Sequence, residues 1–233
     1  ILPNDAQDIP PQKSRSFTGI MRRLLTALRN RGIRRTVQSI VALADDRLFD
    51  LRYGIKTSGI KQLAELDVRG ANRDKGIWFQ PIQVRHLRRL LDRIPMESRT
   101  SFVDFGSGKG RTLFVAHLCG FRKAVGVEFA RELCAMADEN LRKFEASTGK
   151  KSGVSTVHLD ATEFEVKPEH SVFYFFNPFD GDVLTKVLSA IEKSLRDTPR
   201  TAWLLYSNPV HRNVVDQMPG FVEVWRETWG TEK

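Results

Sequence analysis

A doubly wound, mostly parallel α/β sheet is the fold this sequence predicts, and three observations predict it. From residue 100 onward, short apolar runs of strand type alternate with helix-periodic segments. The first run passes straight into a loop with glycines on alternate residues. Acidic or Asn-Pro positions then recur at the ends of the later runs. Strands alternating with helices at this spacing make parallel crossover units.

The expected elements run in order. Strand Ser101–Phe105 leads through the glycines to a helix over Arg111–Cys119. Strand Ala124–Glu128 precedes a long helix, Arg131–Glu145. Strands Val154–Leu159 and Val172–Phe176 follow, then helix Val183–Leu195, strand Ala202–Tyr206, helix Val210–Gln217 and a last strand near Phe221–Trp225. Ahead of these, Ile82, Val84, Leu87, Leu90, Leu91 and Ile94 repeat with helical period up to Pro95, whereas 45–76 reads as loop, punctuated by Gly54, Gly59, Gly70 and Gly76. The expected organisation is a disordered arm over 1–16, a basic helical extension or cap over 17–98, and the α/β domain over 99–233. With Gly230–Lys233 too short for a further strand and no Met at position 1, the expectation is a missing last strand or a truncated sequence.

Length and composition narrow the class. The 233 residues suit one domain with an appendage, and 41% hydrophobic with 28% charged residues is ordinary globular composition. No apolar run approaches the roughly 18 residues of a membrane-spanning helix. The two cysteines, Cys119 and Cys134, make no disulfide scaffold and no Cys/His ligand cluster, so neither a structural zinc nor any other metal is expected, and a reducing, cytoplasmic compartment fits best.

The net charge of +9 is unevenly placed. Residues 1–99 hold 20 of the basic and 10 of the acidic side chains; the remainder holds 17 and 18. From Phe17 to Ala44 an apolar helical face is accompanied by Arg22, Arg23, Arg29, Arg31, Arg34 and Arg35, with no acid between Asp8 and Asp45. This stretch reads either as a surface helix with a solvated arginine face or as a contact for an anionic partner: RNA, an acidic protein or a membrane surface.

The chemistry concentrates in Asp104-Phe105-Gly106-Ser107-Gly108-Lys109-Gly110-Arg111. Glycine is needed where a chain turns sharply or where a ligand presses on the backbone, and the helix start beyond offers unpaired N–H groups. The dinucleotide fingerprint fails, because Arg111 stands where its third glycine belongs; the phosphate-binding loop fails, because Gly110 follows Lys109. A carboxylate two residues before the first glycine repels phosphate and suits a ligand with a positive end.

Residues 100–230 resemble the class I S-adenosylmethionine-dependent methyltransferases at four places in order. The glycine loop is similar to the family's first motif, with Asp104 near the methionine end of the cofactor and Gly106, Ser107, Gly108 and Gly110 around it. Val125-Gly126-Val127-Glu128 places an acid where the family binds the ribose hydroxyls, next to Phe129. His158-Leu159-Asp160-Ala161 resembles the segment that meets the adenine amino group. Phe176-Asn177-Pro178-Phe179-Asp180 resembles the Asn-Pro-Pro-aromatic motif beside the transferable methyl, shortened by one proline. Singly, Glu128 reads as a strand-end acid, Asp160 as a helix N-cap and Asn177-Pro178 as a turn.

The stretches Tyr53–Gly59, Trp78–Pro81 and Tyr206–His211 further resemble a bacterial group of uncharacterised substrate. More distantly, Phe79-Gln80-Pro81, with Gln83 nearby, is similar to the segment that folds over the cofactor in small archaeal and mitochondrial lysine methyltransferases, which carry Thr or Ser where Ile82 stands.

The resemblance implies S-adenosylmethionine as cofactor, held by Asp104, the loop, Glu128, Phe129, Asp160, Ala161, Asn177, Gln80 and Pro81, and a nitrogen acceptor such as a protein lysine, met by Asn177 and Phe179. Small-molecule O- or N-methylation and an RNA-directed activity stay open. Asn208 and His211 are second choices for the acceptor side; His117 reads as a packed histidine, and Lys109 as facing solvent without a role.

Overall fold

The computed structural model describes residues 40–58 and 81–227, with positions 33 and 37. The arm over 1–16, the arginines of 17–35, Phe79, Gln80 and Gly230–Lys233 lie outside the described residues. The chain divides into two compact units: residues 1–41 with 228–233, and residues 42–227. In the first, Ile33, Val37, Ile40 and Val41 are helical and exposed.

Five parallel strands stand in the order β3-β2-β1-β4-β5: β1 (Ser101–Phe105), β2 (Lys123–Glu128), β3 (Val154–His158), β4 (Val172–Phe176) and β5 (Trp203–Ser207). The order reverses between β1 and β4, so the carboxyl ends of these two strands open the crevice where such sheets take ligands. Central β1 is buried along its whole length, as is most of β4, which explains their apolar runs. Phe105 stacks on Phe175 at 5.0 Å between ring centroids, and Phe102 on Tyr174 at 5.8 Å. Each such ring fully buried contributes about 1.5–3 kcal/mol.

The helices are α1 (42–53), α2 (Val84–Leu91), α3 (Arg111–Leu118), α4 (Arg131–Thr148), α5 (Gly181–Asp197) and α6 (Arg212–Asp216). They cover both faces. One core gathers Phe49, Tyr53, Leu87, Leu91, Leu113, Phe114 and Phe144 from α1 to α4; the other gathers Val183, Leu184, Val187, Leu188 and Ile191 of α5 with Val103, Phe105 and Phe175. Asp180 caps α5 by accepting from the Val183 N–H at 3.0 Å, and Gly149, at φ +66°, ends α4.

Three expectations need correction. Residues 45–53 are helical rather than loop. The inward face of α1 is Ala42, Asp46, Phe49, Asp50 and Tyr53, and two buried carboxylates on that face interrupt the apolar period that marks a helix. The strand expected near Phe221–Trp225 does not form: 221–227 is irregular chain, held by Phe221 against the second core and by Trp225, whose ring lies 4.0 Å from the Arg93 guanidinium. The helix expected over Val210–Gln217 is the short α6 alone, because Asn208, at φ +49°, and Pro209 delay its start.

Candidate active site

The site is built where β1, β2 and β4 end. After Phe105 the chain turns at Gly106, at φ +83°, and its N–H and that of Ser107 donate to the Val127 carbonyl at 2.8 and 3.2 Å. A Cβ on Gly106 would lie 2.6 Å from the Pro178 Cβ. The first glycine therefore lets the loop after β1 press against the Asn177-Pro178 turn after β4. Gly126 does the same beneath the loop, since a Cβ there would collide with the Ser107 side chain and sit 2.8 Å from Leu113 Cδ1.

Glu128, at the end of β2, is buried. Its Oε2 accepts the Gly108 N–H at 2.8 Å and its Oε1 the Ala130 N–H at 2.9 Å. A carboxylate has about four acceptor positions, so acceptor capacity remains for a ligand hydroxyl. Burial pushes this carboxyl's pKa up, opposed by the backbone donors of Ala130, Gly108 and Phe129. Asp104, on β1, is also buried; its pKa is pushed up to about 7, chiefly by burial, against the donating Thr112 hydroxyl and with help from the nearby Glu128 charge.

The other residues singled out in the sequence are placed as follows. Asp160 takes its capping role: its Oδ1 accepts from the Thr162 N–H at 2.9 Å and hydroxyl at 2.8 Å. Ala161 and Phe129 are half-buried beside it and beside Glu128 in sequence, and the Phe129 carbonyl meets the His158 ring at 3.1 Å. Pro81 is half-buried ahead of α2. His117 packs its ring edge-on against Phe144 at 5.9 Å, as read from the sequence.

Asn177 is buried at φ +44°, a left-handed conformation that Asn tolerates better than most residues. Its Oδ1 accepts from the Tyr206 hydroxyl at 3.3 Å, and that hydroxyl accepts the His211 N–H at 3.4 Å. The turns after β4 and β5 are thus joined through Tyr206, which sequence reading missed; its position at the end of the neighbouring strand was the available signal. Phe179 lies in the second core with its ring edge-on to Phe175 at 6.1 Å.

Lys109 corrects another expectation. It is buried rather than facing solvent, and its Nζ donates to the Ser58 carbonyl at 3.0 Å. Arg111, 3% exposed, likewise turns to α1 and 55–58. Both cations of the loop are engaged on that side, while two carboxylates, Asp104 and Glu128, stand at the strand ends. The set does not suit a pyrophosphate and suits a cationic ligand that offers hydroxyls. Ser107 Oγ adds a buried polar atom without a hydrogen-bond partner among the described residues. Within the same limits, no group of three or more His, Cys, Asp and Glu gathers as a metal site, and no helix is long and apolar enough to cross a membrane.

A parallel sheet in this order, with a glycine loop after its first strand and an acid ending its second, is the Rossmann-like fold of the class I S-adenosylmethionine-dependent methyltransferases. Consistent with that, residues 79–170 match the family model described as Histone methylation protein DOT1. The match spans the glycine loop, Glu128 and Asp160 and stops short of Asn177. No curated protein matches the chain. Similar solved structures include StiE O-MT residues 961–1257, at 16% identity and TM-score 0.39 over 47% of this chain and 39% of that one. Another is an RNA methyltransferase from Salinibacter ruber in complex with S-adenosyl-L-homocysteine, at 20% identity and TM-score 0.40 over 49% of this chain and 71% of that one. A third is an S-adenosylmethionine-dependent methyltransferase from Clostridium acetobutylicum, at 16% identity and TM-score 0.38 over 48% and 46%. The chain thus spans about two fifths of the length of the first of these.

Proposed function

We propose that this chain is an S-adenosylmethionine-dependent methyltransferase acting on a nitrogen, with a protein lysine as the favoured acceptor. The observation that carries the reading is the arrangement around Glu128. A buried carboxylate is tied by backbone N–H groups to Gly108 and Ala130, with acceptor capacity left for a ligand hydroxyl, beside a loop whose cations are turned away. When bound, the cofactor supplies an electrophilic methyl on a positively charged sulfur.

The chain's own part is positioning. Glu128 accepts from the ribose hydroxyls, Asp104 in its ionised form offsets positive charge at the methionine end, and the Gly106–Gly110 backbone allows close approach. Asn177 presents its amide oxygen to an amine, with Tyr206 fixing that amide's orientation. Holding a nucleophile about 3–3.5 Å from the methyl in line with the leaving sulfur accounts for much of the catalysis in such a displacement. Phe179 supports the turn by packing beneath it, and Asp160 remains a candidate for the adenine edge.

The protein acceptor is favoured because the matched family is described by histone methylation. The test is transfer of radiolabelled methyl from S-adenosylmethionine into fractionated lysate, followed by hydrolysis of the labelled fraction. Label in protein, recovered as methyl-lysine, supports the reading; label confined to RNA or small molecules rejects the acceptor, and no label rejects the activity.

A further inference from the structure

The residue that breaks the dinucleotide fingerprint has its own set of partners. Arg111 Nη1 donates to Asp46 Oδ2 at 2.8 Å and to the Ile82 carbonyl at 3.1 Å. Its Nε donates to Thr57 Oγ1 at 2.8 Å and its Nη2 to Ser58 Oγ at 2.7 Å, with Asp50 Oδ1 at 3.9 Å. The acids are shared onward. Asp50 accepts from the backbone N–H groups and hydroxyls of both Thr57 and Ser58, and Asp46 Oδ1 accepts the Val84 N–H at 2.9 Å. Nearby, Asn140 of α4 accepts the Lys56 N–H at 2.9 Å and donates to the Lys109 carbonyl at 3.1 Å.

One guanidinium, at the first helical position after the glycine loop, therefore grips the chain at Ser58 and again at Ile82. We propose that Arg111 is a positioning residue for cofactor binding: through Asp46, Asp50, Thr57 and Ser58 it fixes 55–58 and the start of α2 against the far side of the glycine loop, and so holds Gly106–Gly110 in its binding shape. This rests on the methyltransferase reading above. A buried ion pair is a poor source of net stability compared with apolar packing, whereas a planar fork with several fixed donors specifies geometry that a lysine cannot reproduce. The loop's binding face meets Glu128 through the Gly108 N–H, and its other face meets this cluster through Lys109 and Arg111.

The test uses the full chain with two substitutions: Arg111→Lys, which keeps the charge, and Thr57→Val, which removes the Nε acceptor at constant shape. Calorimetry with S-adenosylmethionine, thermal unfolding of the ligand-free protein and amide hydrogen exchange are read together. The dissociation constant should rise about tenfold or more in Arg111→Lys, the scale of one lost hydrogen bond to a charged group, and less in Thr57→Val. The KM for the cofactor should rise by more than kcat falls. Exchange protection should drop at 55–58 and 106–110 and hold at β4. Unchanged affinity in a folded Arg111→Lys protein, or protection lost evenly across the sheet, overturns the proposal. Should the unsubstituted chain ignore S-adenosylmethionine, the function reading fails by itself, and exchange alone then judges the clamp: selective loss at those two segments upholds it and unchanged protection overturns it.

Discussion

Glu128 and Gly108 are joined across the sheet end by a 2.8 Å hydrogen bond from the glycine N–H to the carboxylate, so the acid after β2 shapes the loop after β1. One side chain thereby organises the glycine loop and offers acceptors to a ligand. Glu128→Gln keeps the size but cannot accept through both arms, since one becomes an NH2 facing a backbone N–H. Cofactor affinity should fall by about 1–3 kcal/mol, by titration calorimetry. Unchanged affinity removes Glu128 from the site.

Asp104 gives the site a pH dependence with a definite sign. Its carboxyl is raised from 3.8 to about 7 in the folded protein. A raised acid favours folding fully only below its unfolded pKa, and that contribution is lost as pH rises through the folded value. The ligand-free protein should thus lose stability between roughly pH 4 and pH 7 from this group. Affinity for a cationic cofactor should move the opposite way, strengthening as pH rises through about 7, where the carboxylate forms. Calorimetry on either side of that pH, with Asp104→Asn as a flat control, checks both slopes.

Asn177 is tested best by Asn177→Gly, because Ala at a positive φ adds backbone strain of about 1 kcal/mol and confuses the result. The glycine variant keeps the turn and removes the amide. Turnover should fall by about 10²-fold with cofactor affinity nearly unchanged, the pattern of a group that stabilises the reacting amine. Equal loss of both would make Asn177 part of the cofactor site.

Gly106→Ala places a methyl against Pro178 and forces a side chain onto a φ of +83°. Two separate penalties meet there, and the expected loss is about 2 kcal/mol or more of stability, seen in thermal unfolding. Turnover should fall too, since the Asn177-Pro178 turn is what must move.

The centre of the sheet was legible because β1 and β4 are buried on both faces and the helices on one, so the alternation survives in composition; Val172–Phe176 and Arg131–Thr148 are clear examples. The turn after β1 was legible at Gly106 because its positive φ and the close approach of Pro178 demand glycine, whereas Glu128 was singled out by resemblance. What escaped reading depends on polar groups turned inward. Asp46 and Asp50 hid α1 by breaking its apolar stripe, and nothing local distinguishes a buried Lys109 from a solvated one until Ser58 is brought to it from 51 residues away. Tyr206 escaped for the same reason, since its partner Asn177 belongs to another strand. At Phe221–Trp225 the apolar alternation that suggested a strand serves packing against Arg93 and the second core instead of pairing.

Calorimetric titration of the purified chain with S-adenosylmethionine, beside NAD and ATP, tests the central claim most directly. Saturable binding of S-adenosylmethionine that Glu128→Gln weakens, with neither nucleotide bound, is the predicted result; uptake of NAD or ATP with no response to S-adenosylmethionine would contradict it.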